Sequence, residues 1–151
     1  MEREIKFRGK RIDGADWVYG FYYEKALPLQ CIKTPNDKEE EPKGFIIYPG
    51  FADWNMPRPM YEVEVVPKTV GQFTGLKDKN GKEVYEGDIV KEQRRRFKDK
   101  YFAVKWNNDI GSYIFEPLDK SLTSYPCFNI GTVKGLEVIG NIYENPELLE
   151  G

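Results

Sequence analysis

Residues 75 to 90 read GLKDKNGKEVYEGDIV, and the order Asp78, Asn80, Gly81 is one that calcium-binding loops use. An EF-hand loop places oxygen ligands at its first, third and fifth positions, glycine at the sixth and a bidentate glutamate at the twelfth. Counted from Asp78, the fifth position is Lys82, the sixth is Glu83 and the twelfth is Ile89, so the metal reading fails at three places. What remains is Asn80-Gly81, the pair that best tolerates positive φ at both centres of a type I′ hairpin turn. This reading predicts positive φ at Gly81, no metal site, and an Asp78 that contributes only a local turn hydrogen bond. A second bend is expected at Gly87, just before Ile89 and Val90 enter a strand.

A second chemistry is possible in KEQRRRFKDK, residues 91 to 100. Guanidinium groups match phosphate oxygens, and neighbouring aromatic rings can stack on bases. Arg94, Arg95, Arg96, Lys98 and Lys100 are therefore the candidate nucleic-acid contacts. The alternative is a solubilising hairpin tip, since charged residues also keep strand edges from pairing with other chains.

Catalysis has little to work with. The chain has no histidine, which removes the usual general base near neutral pH, the usual metal ligand and every Ser-His or Cys-His pair. Asp88, Asp109 and Glu116, with Lys105 or Cys127, are the only candidates for acid-base work, and they fall into no motif with recognisable roles. No catalytic residue and no cofactor is expected, and the chain reads as a non-enzyme. Cys31 and Cys127 are too few for a disulfide framework or a four-thiolate zinc site.

Aromatic residues offer a third possibility. Three Trp, ten Tyr and nine Phe exceed what surface chemistry alone needs, so most must form core. A minority could line a peptide groove. Tyr85, Trp106, Tyr113 and Tyr125 are the candidates in the second half of the chain, and Trp54 beside MPRPM is the candidate in the first.

The elements that would position these residues are short strands. Aromatic and β-branched residues recur in blocks separated by Gly, Pro, Asn and Asp, with no helical periodicity. EIKFRGKRID and WVYGFYY read as a hairpin around Asp13 to Asp16. LPLQCIK, GFIIYPG and YEVEVV supply three more strands, with Glu62 and Glu64 alternating onto the wet face of the last. Between these strands, TPNDKEEEP is a polar loop and PGFADWNMPRPM an irregular stretch rich in apolar residues. After Pro67, TVGQFTG, EVYEGDIVKE, YFAVKW, GSYIFEP and GLEVIGNIYE read as five strands of a small barrel. Asn145 and Pro146 then start one helical turn carrying Leu148 and Leu149. The expected fold is all-β, with an N-terminal β region over 1–66 and a barrel over 67–151, whether as two domains or around one shared core.

Three blocks, FRGKRIDGADWVYG (7–20), TVGQFTGLKDKNGKEVYEGDIV (69–90) and VIGNIYENPELLE (138–150), resemble the YopX family of phage and prophage proteins. The resemblance implies a β-rich protein whose C-terminal part is an SH3-like barrel, and a phage or prophage origin. It carries over no activity, ligand or catalytic residue.

Twenty-three basic residues stand against 25 acidic ones, so no global charge draws the chain to nucleic acid or an anionic membrane. No apolar run approaches the roughly 20 residues of a membrane span, and MEREIKF lacks the apolar core of a secretory signal. The expectation is a protein of the bacterial host's cytoplasm that binds a protein, either itself or another. Nucleic-acid binding through the 91–100 loop is the alternative, and an enzyme without histidine the remote one.

Overall fold

The computed structural model describes residues 4–14, 16–25, 42–51, 54, 58–93, 99–122 and 127–149. Among them are ten strands, one single-turn helix and two 3₁₀ turns. The chain divides into two compact units, Lys6–Val70, and Gly71–Gly151 together with residues 1–5.

The N-terminal unit is an antiparallel meander of β1 (Phe7–Lys10), β2 (Trp17–Lys25), β3 (Lys43–Pro49) and β4 (Met60–Val65). The expected hairpin forms, with Phe7 opposite Gly20 and Lys10 opposite Trp17. β2 then changes partner: Trp17–Gly20 pair with β1, and Phe21–Lys25 pair with β3. Gly20 stands at the change, where an added Cβ would run into the Ile47 carbonyl oxygen. The sheet also curls back on itself, because Arg11 bridges Val65, the Ile12 N–H donates to the Glu64 carbonyl (3.1 Å) and the Val66 N–H to the Lys10 carbonyl (2.9 Å). Ile46 and Val65, both fully buried, fill the inside of the curl.

A 3₁₀ turn, Pro67–Thr69, ends this unit. Thr69 accepts from the Lys10 N–H through Oγ1 (2.9 Å) and donates to the Val66 carbonyl (2.7 Å). These bonds tie the turn back to β1, so the division falls after Val70 rather than at the expected 66/67.

The C-terminal unit holds β5 (Gly71–Lys77), β6 (Glu83–Tyr85), β7 (Asp88–Glu92), β8 (Tyr101–Asn107), β9 (Ser112–Pro117), the helix α1 (Ile130–Val133) and β10 (Leu136–Asn141). β5 and β6 form a hairpin, and β10-β7-β8-β9 form a four-stranded antiparallel sheet. EVYEGDIVKE gives two strands rather than one, because Gly87 (φ 84°) turns the chain between β6 and β7. The Asp88 carboxylate accepts the Tyr85 N–H across that bend at 2.8 Å.

One continuous core holds the unit together. Val84, Val90, Phe102, Val104, Tyr113, Phe115, Val133, Leu136 and Val138 are buried in a single cluster, with Leu76, Leu122 and Phe128 packed on it. Phe128 lies 4.9 Å from the Phe115 ring and 5.5 Å from that of Tyr113. The helix α1 was not expected from periodicity, since one turn is too short to show any. Its signal is the Asn129 N-cap, whose Oδ1 accepts the Thr132 N–H at 2.9 Å. The expected C-terminal helical turn is the 3₁₀ turn Pro146–Leu149. LPLQCIK, and TPNDKEEEP apart from its last residue Pro42, lie outside the described residues.

Candidate functional site

The 75–90 stretch closes as a hairpin, with Gly81 at φ 80° as expected, but the turn is not type I′. Asn80 is absent from the residues at positive φ, and the Gly81 N–H donates to the Asp78 carbonyl at 3.0 Å. Those two facts describe a type I turn centred on Lys79 and Asn80, followed by a left-handed glycine, the form that suits a three-residue hairpin loop. The Asp78 N–H donates to the Lys82 carbonyl at 2.8 Å and closes the loop.

Asp78 does far more than the sequence reading allowed. Its side chain is buried, with Oδ1 accepting the N–H groups of Asn80 (2.8 Å) and Lys82 (2.9 Å), and Oδ2 accepting the N–H of Val138 (3.0 Å). The Lys79 N–H donates to the Leu136 carbonyl at 3.0 Å. One carboxylate thus holds the turn and fastens it to β10, a link between positions far apart in sequence. Both oxygens already face backbone donors, so Asp78 acts as a structural anchor. The anchor is ringed by charge. Glu137 accepts from Lys79 Nζ (2.7 Å) and Gln93 Nε2 (2.7 Å), and the lysine holds its carboxyl below the usual range.

Of the basic loop, β7 and β8 pair as expected and Lys100 is described; Arg94, Arg95, Arg96 and Lys98 lie outside the described residues. Lys100 Nζ is 2.8 Å from Asp119, and Lys91 Nζ is 2.9 Å from Asp99. Lys100, with Ser121, holds the Asp119 carboxyl far below the usual carboxylate range, while the hydrogen bond to Asp99 raises the Lys91 ammonium. Both bases at the neck of the loop are therefore matched by acids.

The carboxylates considered for catalysis are spread over unrelated positions. Asp88 is fully buried at the β6–β7 bend. Glu116 pairs with Lys105 across β8 and β9, the Asp109 N–H donates to Asn107 Oδ1 in the turn between them, and Cys127 is an exposed free thiol.

The aromatic candidates separate sharply. Tyr85 (2% exposed) and Tyr113 (6% exposed) are core residues, which corrects their reading as groove residues. A ring in those positions fills volume that the small unit cannot leave empty. Tyr85 packs against Phe73 at 5.4 Å and donates to Glu83 (2.9 Å); Tyr113 sits between Trp106 and Phe128. Trp106 is half exposed, edge-on to Tyr113 at 5.1 Å, with Nε1 donating to Asn108 (3.0 Å). Tyr125 lies outside the described residues. Trp54 is 90% exposed.

Trp54 has company that the sequence reading missed. Residues directly opposite in an antiparallel ladder share a face. By that rule Phe21, Ile47 and Glu62 lie on one face of the N-terminal sheet, as do Tyr23, Phe45 and Glu64, while Pro49 and Met60 form the next row. Tyr19, two residues before Phe21, faces the same way. Tyr19, Phe21 (60% exposed) and Met60 project from this outer face, and the β3–β4 loop adjoining its Pro49–Met60 end carries Phe51 (91% exposed) and Trp54. The neck of that loop is closed by the Gly50 N–H bonded to the Pro59 carbonyl at 2.7 Å.

At the opposite end of the face, polarity is locked in pairs. Tyr23 stacks on Phe45 at 5.5 Å and donates to Glu62, and Lys25 lies 4.4 Å above the Phe45 ring and 2.7 Å from Glu62. Hydrogen bonding raises the Tyr23 and Lys25 protons above their ordinary range and lowers the Glu62 carboxyl. On the inner face, burial and a 2.8 Å hydrogen bond to Glu24 push the Tyr22 phenol up to about 12. The outer face is thus divided into an ion-paired, charged end and an exposed apolar end. Strict alternation in WVYGFYY could have shown that Tyr19 and Phe21 share a face, but not that this face is the outer one.

Among the described residues no helix is long and apolar enough to cross a membrane, and no group of three or more acids or cysteines is arranged to hold a metal ion. No curated protein matches the chain. Among solved structures, protein EF1440 from Enterococcus faecalis is similar over 98% of this chain and 99% of that one, with a TM-score of 0.55 and 20% sequence identity, a likeness of fold alone. The profile of the family described as YopX protein matches residues 6–150, and the chain belongs to the YopX family.

Proposed function

We propose that this chain is a non-enzymatic adaptor of phage or prophage origin that binds another protein in the bacterial cytoplasm. On this reading it docks through the apolar end of its N-terminal sheet. The observation that carries the reading is the gathering of Tyr19, Phe21 and Met60 on one face, with Phe51 and Trp54 on the adjoining loop, all exposed. Large apolar side chains grouped on a surface are what protein interfaces use as anchors. The stacked and ion-paired end of the same face supplies a polar rim. The strand order β10-β7-β8-β9, with a short helix before the last strand, suits the SH3-like barrel that we assign to the C-terminal unit. That unit would serve as the stable base of the adaptor.

The test is affinity capture from induced lysogenic cells with the wild-type chain and with a Phe21→Ser, Trp54→Ser double variant. A protein held by the wild type and lost from the folded variant supports the adaptor. Equal retention by both overturns the docking face, and no protein on either overturns the function. If the retained species is nucleic acid, released by salt and lost on changing Arg94, Arg95 and Arg96 to Glu, the 91–100 loop is the site instead.

A further inference from the structure

Of the asparagines in the chain, Asn80 alone is followed by glycine. A side chain on the following residue shields its backbone nitrogen, and glycine has none. The turn adds no shield of its own, because Asn80 and Gly81 are both exposed and a Cβ built on Gly81 meets no atom within 4 Å. We propose that Asn80-Gly81 is a site of spontaneous covalent modification, in which Asn80 is converted to aspartate and isoaspartate, and that Asp78 is the gate that sets its rate.

In the first step the Gly81 nitrogen gives its proton to hydroxide and bonds to Asn80 Cγ. The Cγ–Nδ2 bond breaks, and ammonia leaves after taking a proton from water. Water then adds to either carbonyl of the resulting succinimide. Opening at one carbonyl restores the normal chain as aspartate; opening at the other routes the chain through Cγ as isoaspartate. Overall one water is consumed and one ammonia released, with no oxidant or reductant.

In the closed turn the Gly81 N–H is engaged by the Asp78 carbonyl (3.0 Å) and the Asn80 N–H by Asp78 Oδ1 (2.8 Å). Those bonds keep the attacking nitrogen protonated and the turn dihedrals fixed, so reaction waits for the turn to open. The product is felt beyond the turn. The Asn80 amide is one of the groups that stabilise the Glu137 carboxylate, beside Lys79. Conversion replaces that donor with a second carboxylate next to Glu137 and close to Asp78, where Asp78 meets the Val138 N–H. Isoaspartate also lengthens the backbone inside the turn. Modification therefore loosens the attachment of the hairpin to β10.

The test incubates the purified protein at mildly alkaline pH, native and unfolded in urea, and follows residue 80 by peptide mapping and by isoaspartyl methyltransferase labelling. Isoaspartate is expected at residue 80 in the native protein, more slowly than in urea and ahead of every other asparagine. Asp78→Ala should speed the native reaction about tenfold, the effect of losing a charged hydrogen-bond acceptor on turn opening. Asp78→Asn, which keeps one acceptor oxygen, is the variant to read if Asp78→Ala does not fold. A native protein that stays unlabelled while the urea sample reacts overturns the site. A folded Asp78 variant that reacts no faster than wild type overturns the gate.

Discussion

In the C-terminal unit Phe102, Phe115 and Tyr113 lie inside, wrapped by two layers of strand and a helix. In the N-terminal unit Tyr19 and Phe21 lie outside, and the inside belongs to Ile46 and Val65. The difference follows from how each sheet closes. The C-terminal sheet is covered by separate elements, β5, β6 and α1, which leave room between layers for rings. The N-terminal sheet covers itself by curling, and the curl is tight: a Cβ on Gly9 would lie 3.1 Å from that of Val65. Glycine at position 9 lets the two ends of the curl meet there, and of the β2 rings Tyr19 and Phe21 stand on the outer face while Tyr22 stays on the inner one beside Phe7. Similar strand sequences give a core filled with rings in one unit and exposed rings in the other.

The largest test of this contrast is to remove a ring from each unit. Phe115→Ala should lose about 3–5 kcal/mol in urea unfolding, through lost burial and a cavity among Phe102, Tyr113 and Phe128. Phe21→Ala should change stability by less than about 0.5 kcal/mol. Comparable losses in the two variants would erase the distinction between the units. Next in size is Asp78→Ala, expected to cost about 3 kcal/mol because it strips three backbone donors of their shared acceptor. The corresponding acid in the N-terminal turn, Asp13, is exposed and paired with Arg11, so Asp13→Ala should move the unfolding midpoint by no more than the equivalent of about 0.5 kcal/mol. Gly81→Val should cost about 2 kcal/mol from positive φ alone, since the site is open, and metal ions should leave its melting temperature unmoved.

The smallest effect is electrostatic. The Asp119 carboxyl is lowered by Lys100 and Ser121, so any stability it lends is present at neutral pH and is lost as the pH falls through its depressed native pKa. An NMR titration should show Lys100→Gln returning this carboxyl towards the normal range, with little change in melting temperature because the pair is solvent-exposed. An Asp119 titration unchanged by that substitution would remove Lys100 as the cause.

The strands were legible because turn residues delimit them: β1 to β4 fall where EIKFRGKRID, WVYGFYY, GFIIYPG and YEVEVV placed them, Gly81 takes the expected positive φ, and the chain bends at Gly87 as expected. What local sequence does not carry is partnership across distance. Asp78 looks like any turn aspartate until Val138 is brought beside it. Tyr85 and Tyr113 have the same residue type as Tyr19, and only the closure of each sheet decides which ring is buried. Trp54 could be singled out because Pro and Gly around it exclude a strand, whereas Phe21 sits in a strand whose outer face no alternation rule identifies.

The position of β7 has a consequence for how the protein is made. It pairs with β8, which follows it directly, but also with β10, whose Val138 stands opposite Val90. During synthesis the β7–β8–β9 meander can form as soon as it emerges, since its contacts are local. Its open edge, with Ile89 and Val90 on it, must then wait for β10, and the Asp78 anchor cannot be set before that strand docks. The strand that closes this edge is separated from β7 by β8, β9 and α1, so the nascent chain carries an unpaired apolar edge until β10 is translated.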